Sequence, residues 1–313
     1  MTIWLVAGAT GLAGKAISSE LKKSNIEVFE LSSKNCDLTN FEQTNELIRT
    51  IKPSVVIDAA AKVGGIVANF KQPVEFLEVN SLIQINLFKA CHLNSVAKLA
   101  FLSSSCVYPK FASQPIKESS LMTGELEETN SAYAIAKISG MRLIQAYREE
   151  FGYKWISVMP TNLFGFHDNF SLENSHLLPA FIRKFNDAKL NHSKTVNLWG
   201  TGTPRRELMH ADNFAKALKF VIENYDDDAP INIGTGIDHT IAEIAEMVRK
   251  VVNYDCEINW DNTKPDGTPR KLLDITKLQN LGFTEKFNLE DDIYKTNEWF
   301  INNLLHSPQN LRL

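Results

Sequence analysis

Short, mostly apolar runs punctuate the first half of the chain, at residues 3–7, 26–31, 55–59, 99–104 and 155–159. Runs of this length without polar alternation predict strands buried on both faces. Between them, at 12–23, 40–51, 73–94 and 131–151, apolar residues recur every three or four positions, which predicts helices. Strands and helices in alternation build an α/β fold, a Rossmann-type doubly wound parallel sheet whose ligands sit at the carboxyl ends of the strands. After Gly165 the rhythm weakens. Residues 166–206 carry one clear helix (about 176–188) and a short strand at 195–199, as suits a smaller α/β substrate-binding unit. A helix over 212–224, a strand at 231–234, a helix over 240–252, a strand near 256–260 and a last helix over 289–304 complete the pattern. The expected division is a dinucleotide-binding domain of 1–165 plus about 207–236, and a substrate domain of 166–206 plus about 237–313.

Two local motifs turn this pattern toward chemistry. The first apolar run leads straight into Gly8-Ala9-Thr10-Gly11-Leu12-Ala13-Gly14, a G-x-x-G-x-x-G spacing. Glycines so placed allow a tight turn and close backbone approach to a pyrophosphate, held at the positive end of the helix that begins near Leu12. The alternative is a purely structural turn. The second motif is Tyr133 with Lys137, four residues apart and so on one face of a helix. An ammonium beside a phenol favours phenolate, so the pair is expected to bring a tyrosine pKa of about 10 toward neutrality, as proton transfer at a carbonyl requires.

Composition narrows the rest. The chain has 313 residues, 44% of them apolar, enough for a substantial core and more than one unit. Lys and Arg number 33 against 37 Asp and Glu, scattered without blocks, which gives no footprint for nucleic acid. No apolar stretch approaches the ~20 residues of a membrane span, and a cytoplasmic protein is expected. Cys36, Cys91, Cys106 and Cys256 lie far apart without a C-x-x-C pair, which argues for free thiols and against a disulfide framework or a metal site.

Several longer segments carry a resemblance. They are Ala59-Ala60-Ala61-Lys62-Val63-Gly64-Gly65-Ile66, Ser104-Ser105-Cys106-Val107-Tyr108-Pro109-Lys110, Tyr133-Ala134-Ile135-Ala136-Lys137 and Met159-Pro160-Thr161-Asn162-Leu163. To these are added Asn174-Ser175-His176, Trp199-Gly200-Thr201-Gly202-Thr203-Pro204 and the run from Lys264 to Lys271. Together they resemble the GDP-L-fucose synthases, extended short-chain dehydrogenases, over about residues 3–300. The glycine motif and Tyr-x-x-x-Lys mark only the superfamily; the other segments are more specific.

The resemblance implies a 3,5-epimerase and 4-reductase acting on GDP-4-keto-6-deoxymannose with NADP(H). Ser104, Tyr133 and Lys137 match its reductase residues, and Cys106 and His176 its epimerase pair. The competing roles are a packing thiol for Cys106 and a helix cap for His176, although Asn174 and Ser175 are better caps. Cofactor contacts fall on Gly8, Ala9, Thr10, Gly11, Leu12, Ala13, Gly14, Ser33, Lys34, Asp37 and Leu38. They continue at Leu102, Ser103, Ser105, Lys137, Pro160, Thr161, Asn162 and Leu163. Lys184, Trp199, Arg206 and Asp266 match residues that meet the GDP portion; otherwise Trp199 is core and Arg206 a surface charge. Relatives dimerise through the helices near 73–94 and 131–151, so a homodimer is implied. One departure concerns the 2′-phosphate. Family members place arginines in the glycine loop and after the second strand, whereas here stand Thr10 and Ser32-Ser33-Lys34, and NADP is favoured unless Glu30 turns toward the ribose. His210-Ala211-Asp212 is expected to brace the loop after Arg206. A reductase or 4-epimerase acting on another nucleotide sugar, including a GDP-colitose synthase type, is the alternative.

Overall fold

The computed structural model describes residues 2–172, 175–264 and 266–313, leaving the side chains of Ile66 and Val67 aside; Asn174 and Pro265 lie outside the described residues. The first half alternates as its apolar runs require: β1 (Ile3–Ala7), α1 (Leu12–Lys23), β2 (Glu27–Leu31), α2 (Phe41–Ile51), β3 (Val55–Asp58), α3 (Ile66–Lys71), α4 (Pro73–Leu93), β4 (Lys98–Leu102), α5 (Ser131–Phe151) and β5 (Ile156–Pro160). Then follow β6 (Asn162–Phe164), α6 (Leu177–Leu190), β7 (Thr195–Trp199), β8 (Arg205–His210), α7 (Ala211–Asn224) and β9 (Ile231–Ile233). The chain continues through β10 (Asp238–Thr240), α8 (Ile241–Val252), β11 (Glu257–Asp261), β12 (Arg270–Lys271), α9 (Thr276–Asn280) and α10 (Leu289–His306).

One parallel sheet runs β2-β1-β3-β4-β5-β9. Successive strand side chains point to opposite faces, and the core divides accordingly. Val6, Val55, Ile57, Ala100 and Leu102 pack on one face with Phe214 and Leu218 of α7. Leu5, Ala7, Val56, Leu99 and Phe101 pack on the other with Leu87 of α4 and Met141 of α5. A third cluster joins Phe164, Phe170, Phe185, Leu198, Leu208, Val248 and Phe300. It covers two small sheets, one of β10, β8, β12 and β6 and one of β11 with β7. Among the described residues, no helix is long and apolar enough to cross a membrane.

The structure corrects the expected pattern in three places. The fourth strand stops at Leu102, with the Ser103 N–H still donating to the Val158 carbonyl of β5 at 2.9 Å, and Ser105–Val107 form a single 3-10 turn capped by the Ser104 hydroxyl, so Ser104 to Cys106 leave the sheet rather than end a strand. The stretch taken as irregular after Gly165 contains β8, whose Arg205, Arg206 and Glu207 read as surface but pair with β10 and β12. Arg206 is therefore in a strand, not before a loop. His210 at its end accepts the Asp212 N–H through Nδ1 and caps α7.

Candidate active site

The glycine loop joins β1 to α1. Gly8 has a φ of +78°, and a side chain there would lie 2.6 Å from the Ala59 carbonyl oxygen; one on Gly14 would land on the Gly8 carbonyl. Only glycines let this turn pack so closely. The first turn of α1 has neither an acidic residue nor a side-chain cap, which leaves its N–H groups pointing at the site. The loop therefore fits a pyrophosphate. After β2, Ser32, Ser33 and Lys34 form a turn in which Lys34 N–H meets Ser32 Oγ at 3.4 Å and Asn35 Oδ1 accepts from Ser32 N–H at 2.7 Å. Glu30 is turned away, paired with Lys22 of α1 at 2.9 Å. Asp37 receives the Thr39 N–H and hydroxyl at 2.9 and 2.7 Å, and Asn86 donates to the Leu38 carbonyl at 2.9 Å. No carboxylate is thus aimed from the end of β2 at a ribose diol, and a hydroxyl-and-lysine turn suits a 2′-phosphate better.

Beyond β4 the reactive groups gather. Cys106 N–H donates to Ser104 Oγ at 3.2 Å, which fixes the serine hydroxyl at the mouth of the sheet. Thr161 Oγ1 and Asn162 Nδ2 both reach the Glu207 carbonyl, at 3.3 and 2.9 Å, and so tie the end of β5 to β8. Tyr133 sits in the first turn of α5, half-buried, its ring centre 6.4 Å from that of Phe76 in an edge-to-face arrangement. Burial, then the neighbouring Cys106, push its phenol above the ordinary tyrosine value, opposed by the Ser104 hydroxyl. This reverses the expected direction. Lys137 is buried, and its Nζ donates to the Leu102 carbonyl at 2.8 Å and lies 6.0 Å from the centre of the Tyr133 ring. Loss of solvent pulls it down to about 8, against the opposing pull of Asp58. Desolvation is the largest influence on the phenol. The site thus holds a phenol, a proton donor.

His176 occupies the cap position of α6, yet its ring makes no capping hydrogen bond. It is open to solvent on one side, and crowding by protein atoms on the other keeps its pKa below the usual 6.5. Lys184, two turns along the same helix, donates to the Asn197 carbonyl at 2.9 Å and stands 6.0 Å over the Trp199 ring; Lys264 stands 5.6 Å from it. Trp199 is 59% exposed and is not core. Asp266 accepts the Thr201 N–H at 2.7 Å and its hydroxyl at 2.9 Å, holding the loop that follows Trp199. Arg206 is partly buried between Cys106 and Asp266, both of which support its charge against desolvation.

The structure thus brings Ser104, Cys106 and Tyr133 together. It links Cys106 through Arg206 to the Trp199 end, while His176 stands at the start of α6. Two groups escaped the sequence reading. Lys271 Nζ lies 3.7 Å from Cys106 Sγ, from a position 165 residues away. Asp58, fully buried at the end of β3, faces Lys137. Lys271 stood in a quoted segment and Asp58 just before one, but neither had a local partner to mark it.

The profile of the NAD dependent epimerase/dehydratase family matches residues 4–234. A GDP-L-fucose synthase 1 of Arabidopsis thaliana is 48% identical over 300 residues, 96% of this chain and 93% of that protein. A GDP-L-fucose synthase of Escherichia coli K12 is 43% identical, covering 95% and 96% of the two chains. Among solved structures, a GDP-L-fucose synthetase from Naegleria fowleri bound to NADP superposes with a TM-score of 0.90 at 29% identity, over 100% of this chain and 96% of that one. With such identity along nearly its whole length, this chain belongs to the NAD dependent epimerase/dehydratase family and, within it, to the GDP-L-fucose synthases.

Proposed function

We propose that the protein converts GDP-4-keto-6-deoxy-D-mannose to GDP-L-fucose by epimerising C3 and C5 and reducing the C4 ketone with NADPH. The observation that carries this reading is the meeting of Ser104, Tyr133 and Cys106 at one mouth of the sheet, beside a loop built for a dinucleotide. The glycine loop, the Ser32–Lys34 turn and Lys137 would hold NADPH, which supplies hydride to C4. Ser104 and Tyr133 hydrogen-bond the C4 oxygen. A ketone there acidifies the protons on C3 and C5; Cys106 and His176 exchange them, one removing a proton and the other returning one on the opposite face through an enolate. His176, held neutral at pH 7 by its crowded surroundings, is able to accept a proton. In the reduction the Tyr133 phenol gives its proton to O4 as the alkoxide forms. Arg206 meets the diphosphate, and Lys184 and Trp199 meet the nucleoside.

Two parallel elements of the reading concern organisation. The division into a dinucleotide unit and a nucleotide-sugar unit at about residues 165, 207 and 236 draws support from the third core cluster, which gathers residues from Phe164 onward. A homodimer through α4 and α5 draws support from exposed Leu82, Ile85 and Leu93 on α4 and Ile135 and Phe151 on α5. A cytoplasmic setting suits four free thiols. The function is tested by mixing the protein with GDP-4-keto-6-deoxymannose and NADPH, following NADPH oxidation and identifying the sugar nucleotide by NMR. GDP-L-fucose is expected; a 6-deoxyhexose that keeps its C3 and C5 configurations would overturn the bifunctional reading. Light scattering at several concentrations tests the dimer, and a monomer at all of them would refute it.

A further inference from the structure

The carboxyl end of β3 carries an acid where the sheet's pleat calls for an apolar residue. Val55 and Ile57 of β3 join the α7 side of the sheet, and Val56 joins the side of α4 and α5. Alternation therefore sends Asp58 toward α4 and α5, between Ala7 of β1 and Phe101 of β4. It is fully buried. One carboxylate oxygen accepts the Ala60 N–H at 3.1 Å, and the other has no hydrogen-bond partner. The floor of this pocket is Phe101, whose ring lies 4.6 Å beneath Lys137 Nζ. Gly140, one turn along α5, lacks a Cβ that would otherwise press to 2.8 Å from that ring and onto the Gln84 carboxamide. Gln84 is also buried with both amide atoms unpartnered. A buried charge is retained only where something compensates it.

We propose that Asp58 is the counter-charge of Lys137, a positioning residue that keeps the lysine an ammonium beside the Tyr133 phenol, the pair of protonation states from which a ketone is reduced. This rests on the reading of Lys137 and Tyr133 as reductase residues. The titratable groups that act on or feel Asp58 are Lys137 and Tyr133 from α5 and the Cys91 thiol from α4; Cys106 acts on Tyr133 in turn. Asp58 raises the affinity of all three titratable neighbours for protons: it supports the Lys137 ammonium and opposes both the Tyr133 phenolate and a Cys91 thiolate. Its own carboxyl is pushed up to about 6 by burial, and Lys137 opposes that rise. Between about pH 6 and pH 8, therefore, carboxylate and ammonium coexist. Above that window the lysine loses its proton, and below it the carboxylate gains one.

The test is a titration of Lys137 Nζ by nitrogen NMR in the free protein labelled with ¹⁵N-lysine, its resonance assigned by loss in Lys137→Arg. In Asp58→Asn the midpoint should fall by about one pH unit, since an opposite charge nearby is worth about that much or more. The basic limb of the NADPH-dependent reduction should move down by the same amount. Asp58→Leu, which fills the pocket with an apolar side chain, should shift both in the same direction. Reciprocally, Lys137→Met should raise the Asp58 midpoint seen by carboxyl carbon NMR, a measurement that leaves Asp58 in place. A purely structural Asp58 would lower the melting temperature and the rate at every pH without moving a midpoint. Unchanged Lys137 midpoints in the folded variants, or an unchanged Asp58 midpoint in Lys137→Met, would overturn the proposal. A parent enzyme that turns over no keto sugar would sink the assigned reaction and leave these titrations to decide the pairing.

Discussion

The two ends of the site differ in how they treat charge. At the sheet end, Lys137 and Asp58 are wholly buried and Tyr133 half so; desolvation brings the lysine down to about 8 and the acid up to about 6, and raises the phenol. At the other end, Trp199 is 59% exposed with two ammonium groups over its face. Arg206 keeps its charge beside Cys106 and Asp266. Proton transfer needs groups whose two forms are close in energy, which burial supplies. Recognition of a nucleoside diphosphate needs charges that stay fixed, which solvent and Arg supply. On the proposed roles the two ends divide the labour, with Cys106 at the junction.

The sharpest way to break this contrast is Tyr133→Phe. It removes the proton donor and should slow NADPH-dependent reduction by about 10²–10⁴-fold. NADPH binding, measured by fluorescence titration, should persist; reduction near the parent rate would end the assignment. Cys106→Ser should depress exchange of the C3 and C5 protons by about 10²-fold or more while reduction continues, so that an unepimerised sugar accumulates. A smaller effect follows from pH. Because the Lys137 pKa is lowered to about 8, its ammonium is present below that value and lost above it, and reduction should fall about tenfold per unit on the basic side. The affinity for GDP, measured by calorimetry, should not follow this fall, because Arg206 remains charged. At the exposed end, Trp199→Ala should raise KM about five- to tenfold with kcat nearly kept, as loss of a binding face predicts. Lys34→Ala should weaken NADPH by about threefold and NADH hardly at all, since Lys34 is exposed and its contact screened; equal losses for both cofactors would show that the turn does not read the 2′-phosphate.

What the sequence disclosed follows the range of each interaction. The large sheet was legible because its inner strands β3, β4 and β5 are buried on both faces and read as apolar runs, whereas the edge strand β2 carries exposed Glu27 and Glu30. The strands β6, β10 and β12 have two or three residues, too few for any period. β8 was hidden because Glu207 looks like surface, yet it is fully buried and its carboxylate accepts N–H groups of Thr235, Gly236 and Leu273 at 2.6, 2.7 and 3.0 Å. In the site, the glycine loop and the Tyr133–Lys137 pair are local and visible in a window of a few residues. The approach of Lys271 to Cys106 and of Asp58 to Lys137 is made by folding alone. The direction of the Tyr133 shift also escaped, because sequence spacing shows the neighbouring lysine but not the burial that raises the phenol.

The central claim, that one site both exchanges protons and reduces the ketone with separate groups, is tested most directly by running the reaction in heavy water with NADPH and reading the sugar by NMR. The parent protein should yield GDP-L-fucose carrying deuterium at C3 and C5 and protium at C4, the hydrogen delivered as hydride. Product with protium at C3 and C5, or deuterium placed equally by the parent and by Cys106→Ser, would contradict the account.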